Sequence, residues 1–90
     1  MQVYFKPSFI RDFKKLPTDI AEEVKAVCFG IFPKINSLPE LVEYPLRKMR
    51  GFKFYYRIKL RQFRIGFKKE NNEVIFMRVL PRKDIYRHFP

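Results

Sequence analysis

The segment that decides the fold spans residues 56–68 and reads Tyr56-Arg57-Ile58-Lys59-Leu60-Arg61-Gln62-Phe63-Arg64-Ile65-Gly66-Phe67-Lys68. Apolar and basic side chains alternate on both sides of a central Arg-Gln pair. Alternation with a period of two is typical of β-strands that bury one face. The segment therefore predicts an antiparallel hairpin with a tight turn and one cationic face. The basic side chains predicted on that face are Arg57, Lys59, Arg61, Arg64 and Lys68.

The same period of two extends the sheet along the rest of the second half of the chain. The predicted strands are residues 46–49, 54–60, 63–68 and 74–80. Short links between them favour an antiparallel meander. If Ile75, Met77 and Val79 face the core, Arg78 joins the cationic face of the sheet.

The first half of the chain predicts helices. After a short strand at residues 2–5, Pro7 suits the first turn of a helix that Pro17 ends. Apolar residues then recur at helical spacing up to Pro33, which predicts a second helix and a helical hairpin. The last segment, Arg82–Phe89, predicts one or two helical turns. The expected fold is α+β, with a β-α-α unit packed on a meander of about four strands and a short C-terminal helix. Residues 1–90 are expected to form a single domain.

The formal net charge of +11 is concentrated in the second half of the chain. Residues 1–46 carry six basic and six acidic side chains, whereas residues 47–90 carry fourteen basic and three acidic ones. Such a one-sided charge attracts polyanions and destabilises the folded state through self-repulsion. The charge distribution therefore indicates a polyanionic partner, with RNA favoured.

Several other classes of protein are disfavoured by composition. One Cys and one His do not form a zinc cluster of the usual spacing, and the chain has neither a Gly-rich phosphate loop nor a Ser-His-Asp order. We expect no metal or cofactor. The single Cys28 fits a reducing cytosol, and no apolar run is long enough for a bilayer. The expected location is the cytoplasm, without membrane contact.

The basic cluster has two interpretations. Long basic side chains commonly solvate the outer face of a sheet and protect its edge. Like charges on adjacent strands are destabilising, however, and clustered arginines suit bidentate phosphate contacts. We therefore favour anion binding for Arg57, Lys59 and Arg64.

The C-terminal segment contains two further candidate residues. Tyr86 either stacks on a nucleobase or lies at the edge of the core. His88 lies near the chain end, where fraying is common, so it is either an idle histidine or a general acid or base.

Four segments together resemble the RelE/ParE superfamily of type II toxin–antitoxin toxins. They are residues 46–51, 56–60, 63–65 and 82–86. The resemblance implies the β-α-α and meander fold, entry into the ribosomal A site, mRNA cleavage without a metal, and a cognate antitoxin with higher-order assembly. It assigns Arg57, Lys59, Arg64, Arg82 and Tyr86 as catalytic residues. Phe63 replaces the tyrosine that is usual in the family, and Leu60-Arg61-Gln62 replaces a turn that often contains glycine.

The chemistry of RNA cleavage gives these residues separate roles. A base must take the proton of the ribose 2′-hydroxyl, while positive charge stabilises the transition state. Neighbouring cations favour a neutral lysine, so Lys59 is the candidate base, with arginines holding the phosphate and Tyr86 stacking on a nucleobase. The further residues predicted to contact RNA are Lys48, Arg50, Lys53, Arg61, Lys68, Arg78, Arg87 and His88.

Two alternative functions remain open at the level of sequence. A ParE-like toxin on the same fold would inhibit DNA gyrase and cut nothing, although the presence of the basic catalytic set disfavours it. A protein that binds RNA without cleaving it would use the same face only to hold phosphates.

Overall fold

The computed structural model describes residues 1–90. Its strands and helices are, in order, β1 (Gln2–Phe5), α1 (Pro7–Phe13), α2 (Thr18–Lys25), β2 (Leu46–Lys48), β3 (Tyr55–Leu60), β4 (Phe63–Glu70), β5 (Glu73–Pro81) and α3 (Arg82–His88). Helix α2 continues as a wider π-type helix over Ala26–Ile31 and a 3-10 turn over Phe32–Lys34. The predicted α+β fold, with its helical hairpin and C-terminal helix, is confirmed. No helix is both long and apolar enough to cross a membrane.

The sheet has five strands in the order β1-β5-β4-β3-β2. Strands β2 to β5 form the predicted antiparallel meander. Strand β1 adds to its edge in parallel with β5, from the Gln2–Glu73 pair to the Phe5–Phe76 pair, so the sheet is mixed. The alternating Val3 and Phe5 explain this position, because both pack against the core from the edge of the sheet.

The core lies between the sheet and the first two helices, and its largest fully buried side chains are Phe9, Phe32, Phe67 and Phe76. The Phe32 ring contacts those of Phe67 and Phe76, with centroid distances of 5.3 and 5.1 Å. Cys28, in the helical segment Ala26–Ile31, is fully buried. Aromatic side chains bury large apolar areas, so a short chain can build a sufficient core from few residues.

Strand β5 carries a bulge that contradicts one prediction. Phe67 pairs with Phe76 but Gly66 pairs with Arg78, so Met77 is the extra residue. The extra residue shifts the alternation, and Val74 and Phe76 are fully buried on the core side in place of the predicted Ile75 and Met77. The Ser8 hydroxyl donates a hydrogen bond of 2.7 Å to the Met77 carbonyl, which anchors α1 at the bulge.

Helix α3 packs on the opposite face of the sheet from α1 and α2. Ile85 of α3 and Phe89, which follows the helix, are buried, and the Phe89 ring lies directly over Gly66. The Arg82 amide donates a hydrogen bond of 2.8 Å to the Gln62 carbonyl in the β3–β4 turn. These contacts fix α3 beside the strands that carry the basic side chains.

Candidate nucleic-acid interface

A cleft of about 290 Å³ opens between α3 and the strands β2, β3 and β4. Its lining residues are Pro45, Leu46, Arg47, Arg57, Lys59, Arg64, Arg82 and Tyr86. Five of the eight carry a positive charge and none carries a negative one. The structure therefore brings together in one cleft all five residues that the sequence nominated as catalytic. We refer to this cavity as the main cleft.

Strand pairing explains why the charges converge. Arg47 of β2 lies directly opposite Arg57 of β3, and Lys59 of β3 lies opposite Arg64 of β4. Paired residues in adjacent strands point to the same face, so three neighbouring strands supply the floor of the main cleft. Helix α3 adds Arg82 from above the sheet.

Arg64 is held in place by the turn next to it. Its Nη1 atom donates to the backbone carbonyls of Arg61 and Phe63, at 3.0 and 2.9 Å. Partial burial lowers the pKa of Arg64, and the charges of Arg82 and Arg57 lower it further. An arginine nevertheless stays protonated, so it provides a permanent, preorganised cation.

Tyr86 lies over Arg57 at the rim of the main cleft. The guanidinium carbon of Arg57 is 4.6 Å from the centre of the Tyr86 ring, a cation–π distance. The positive charge of Arg57, together with that of Arg82, lowers the pKa of the Tyr86 phenol. Because 57% of Tyr86 stays exposed, its ring also remains available to a ligand.

Arg47 belongs to the main cleft, and the sequence reasoning missed it. The residue lies in a strand of only three residues, Leu46–Lys48, which is too short to show a clear alternation. The signal that could have found it is Leu46, which packs against the core and thereby directs Arg47 to the opposite face.

Other residues predicted to contact RNA lie around the β2–β3 link. Lys48 and Arg50 line a second cavity of about 420 Å³ together with Arg47, Met49, Arg57 and Tyr86. Lys53 is exposed in the same link, with its ammonium 5.7 Å from the Phe54 ring centre. Arg87 is exposed on α3 but lines no cavity together with the predicted catalytic residues.

Arg61 and Arg78 do not line the main cleft, although strand alternation predicted both on the cationic face. Arg61 is a turn residue with a positive φ of 56°, which breaks the alternation and directs its side chain to α2, where its Nε lies 2.9 Å from Glu23. The Arg78 side chain forms a bidentate ion pair with Asp12 of α1, at 2.7 and 3.0 Å. Both cations are already neutralised by carboxylates.

Lys68 and His88 also lie elsewhere. Lys68 shares the face of Arg64 by alternation, but it lies at the far end of β4 in a cavity with Glu70 and Glu73. Its ammonium is 3.6 Å from the Glu70 carboxylate. His88 lines a different cavity, beside Asp12 and Asp84, and is remote from the catalytic set. No group of three or more His, Cys, Asp or Glu side chains is arranged to hold a metal ion.

Comparison with known proteins decides the family. The sequence profile of the ParE toxin of type II toxin–antitoxin systems matches residues 3–86. The chain is 37% identical to Toxin RelE3 of Methanocaldococcus jannaschii over 90 residues, which are the whole of both proteins. This chain belongs to the RelE/ParE superfamily of type II toxins. The resemblance inferred from the four sequence segments is confirmed, and the chain is a RelE-like toxin of a type II toxin–antitoxin system.

Solved structures of RelE toxins have the same fold. The chain matches the RelB–RelE antitoxin–toxin complex of Methanococcus jannaschii with a TM-score of 0.81 and 33% identity, covering 97% of this chain and 99% of that one. The isolated Escherichia coli RelE toxin matches with a TM-score of 0.67 and 20% identity, covering 96% and 90%. Because the identity of the second match is only 20%, that match supports the fold alone.

Proposed function

We propose that this toxin is an endoribonuclease that cuts mRNA in the A site of the ribosome and thereby blocks translation. The main support for the proposal is that one cleft contains all five predicted catalytic residues, which are Arg57, Lys59, Arg64, Arg82 and Tyr86. A cluster of cations without a carboxylate is costly to assemble unless an anion binds there. A phosphodiester meets that requirement.

The arginines of the main cleft would bind the scissile phosphate. Arg64 is fixed by two backbone carbonyls, and Arg57 and Arg82 approach it from the neighbouring strand and from α3. Guanidinium groups bind phosphate oxygens in bidentate fashion, and they stabilise the extra negative charge of the pentacoordinate transition state.

Cleavage would proceed by attack of the ribose 2′-oxygen on phosphorus. The P–O5′ bond breaks as the new P–O2′ bond forms, which leaves a 2′,3′-cyclic phosphate and a 5′-hydroxyl. One group must take the 2′-hydroxyl proton and another must protonate the leaving 5′-oxygen. We assign Lys59 as the base. Tyr86 is the candidate that protonates the leaving 5′-oxygen, because Arg57 lowers the pKa of its phenol and makes it a stronger acid.

The partners of this toxin follow from its charge and its relatives. The relative from Methanococcus jannaschii was solved as a RelB–RelE antitoxin–toxin complex. We propose a cognate antitoxin that covers part of the basic face and assembles with the toxin into larger complexes. The ribosome would be the second partner, and both would place the toxin in the cytoplasm.

Inhibition of DNA gyrase is the competing function, since the matching family profile bears the ParE name. The two functions make different demands on the main cleft. A protein that acts by binding gyrase needs no group to transfer protons, whereas cleavage of RNA requires them. The complete set of basic residues and Tyr86 therefore favours cleavage.

Induced expression in cells, followed by mapping of mRNA 5′ ends, tests the proposal. We expect new 5′ ends within translated regions, spaced in frame with the codons. Supercoiling defects with intact mRNA would instead establish gyrase inhibition. Salt-sensitive RNA binding without any new 5′ ends would establish a binding protein that does not cleave.

A further inference from the structure

The main cleft does not end at Tyr86. The second cavity, on the β2–β3 side, shares Arg47, Arg57 and Tyr86 with the main cleft as common walls. Its remaining lining residues are Lys48, Met49 and Arg50, so it too contains cations and no carboxylate. The two cavities are therefore adjacent and together form a basic channel, in which the Arg57–Tyr86 pair is a shared wall. Two adjacent basic cavities suit a chain of phosphates better than a single anion.

An exposed aromatic ring lies in the β2–β3 link, two residues after Arg50, which lines the second cavity. The Phe52 ring is 6.2 Å from the ring of Tyr55, centre to centre, and it is 50% exposed. Tyr55 and Arg57 are two residues apart in β3 and therefore point to the same face. Phe52 thus lies on the RNA-facing side of the sheet. A half-exposed ring next to phosphate-binding cations is the arrangement that stacks an unpaired nucleobase.

The backbone of the link has an unusual conformation next to Tyr55, the residue whose ring Phe52 contacts. Phe54 has a positive φ of 72°, which is unfavourable for a residue with a side chain. Its carbonyl accepts a hydrogen bond of 2.8 Å from the Lys69 amide, which fixes the unusual conformation against β4. Strained backbone that the surrounding structure maintains is commonly found where a ligand binds.

We propose that the β2–β3 link forms a second nucleotide subsite, in which Lys48 and Arg50 bind the phosphate next to the scissile one and Phe52 stacks on its base. The subsite rests on the proposed function, because it extends the same RNA strand beyond the main cleft. Its ligand is single-stranded RNA of at least two successive phosphates.

Equilibrium binding of oligoribonucleotides of two to six nucleotides tests the subsite. Full 2′-O-methylation removes the attacking hydroxyl, so binding is read without cleavage and independently of the proposed function. For the wild-type toxin, affinity should rise as the strand grows into the second subsite. The double variant K48Q/R50Q should lose most of that gain and bind the longest strand about tenfold more weakly. The slope of its salt dependence should fall by about 0.7 for each phosphate that the variant no longer neutralises.

Two further variants make the test specific. The variant K14Q/K34Q removes the same charge from exposed positions in the first half of the chain and should bind every strand as the wild type does. The variant F52A should also lose the increase in affinity with strand length. The slope of its salt dependence should not change, because stacking involves no counterion release. Thermal unfolding must show that each variant remains folded.

Three results would overturn the subsite. One is equal binding of all lengths by K48Q/R50Q and wild type. Another is a loss of affinity that is equal for dinucleotides and hexanucleotides, which would place the effect of the substitutions in the main cleft. The third is unchanged RNA binding with weakened binding to ribosomes, which would make the link a protein contact. Absence of cleavage of unmodified mRNA by the wild-type toxin would refute the endoribonuclease activity, but it would not contradict the subsite, which is tested by binding alone.

Discussion

Arg57 lies over the ring of Tyr86 with its guanidinium carbon 4.6 Å from the ring centre, and this pair connects the sheet to the C-terminal helix. The contact joins residues 29 positions apart in sequence and forms a wall common to both halves of the basic channel. Its electrostatic consequence is a Tyr86 phenol whose pKa is lowered by Arg57. The Tyr86 phenol is therefore a stronger acid than an ordinary tyrosine.

Tyr86 should ionise at a lower pH than Tyr44. The positive charge of Arg57 favours the phenolate, which moves the titration to lower pH, whereas burial and Glu23 raise the pKa of Tyr44. Ultraviolet absorbance of tyrosinate should show an early transition that Y86F lacks. In R57Q the same transition should move to higher pH. An early transition that persists in Y86F would contradict the assignment.

Position 66 requires glycine because the Phe89 ring occupies the space that a side chain at this position would fill. A Cβ atom on Gly66 would lie 2.6 to 2.8 Å from three carbons of that ring. We expect G66A to lower the free energy of unfolding by about 1–3 kcal/mol through overpacking. In the F89A background the same substitution should cost much less. A double-mutant cycle measured by urea unfolding tests this, and additive costs would exclude the contact as the cause.

The Asp12–Arg78 pair should be important for stability, although it lies outside the main cleft. Asp12 is 7% exposed, pairs with both Nε and Nη2 of Arg78, and accepts a third hydrogen bond of 3.1 Å from the Val79 amide. Replacing Asp12 with alanine leaves a half-buried guanidinium and a buried amide unpaired. We expect D12A to cost about 3 kcal/mol, measured by thermal or urea unfolding.

The matched control for this pair is the more exposed contact of Arg61 with Glu23. Arg61 is 59% exposed in its side chain, so R61Q should cost no more than about 1 kcal/mol. Equal losses for D12A and R61Q would show that burial does not distinguish the two pairs.

Cys28 should react with thiol reagents only when the protein unfolds. The side chain has no exposed surface, and burial raises the pKa of its thiol well above the usual range, so the reactive thiolate is suppressed. The labelling rate should therefore follow the unfolded fraction as urea is added. Fast labelling under native conditions would contradict this burial. The variant C28S should lower stability by about 1–3 kcal/mol, because a hydroxyl then replaces the thiol in an apolar site.

The sequence predicted the fold and most of the main cleft because both depend on local periodicity. Alternation in 56–68 is strict, so the face of Arg57, Lys59 and Arg64 could be assigned without a structure. The C-terminal Arg82 and Tyr86 lie four residues apart, and such spacing puts two side chains on one side of a helix.

The wrong assignments have two physical causes. The bulge at Met77 changes the alternation within β5, and nothing in the local sequence marks such an insertion. Arg61 and Arg78 are drawn to carboxylates of the first two helices, which are distant in sequence. Alternation can predict which face a strand residue points to, but it cannot predict which ion pair a long side chain will form.

The most direct test of RNA cleavage by the main cleft uses a defined mRNA bound in the A site of purified ribosomes. The wild-type toxin should cut once within the A-site codon and leave a 2′,3′-cyclic phosphate. The variant R64A, shown to be folded by thermal unfolding, should cut about 10²–10³-fold more slowly, since it loses a fixed cation for the transition state. The charge-matched K14Q/K34Q should cut as fast as wild type. Intact mRNA with the wild-type toxin, or equal rates for R64A and wild type, would contradict a main cleft that cleaves RNA.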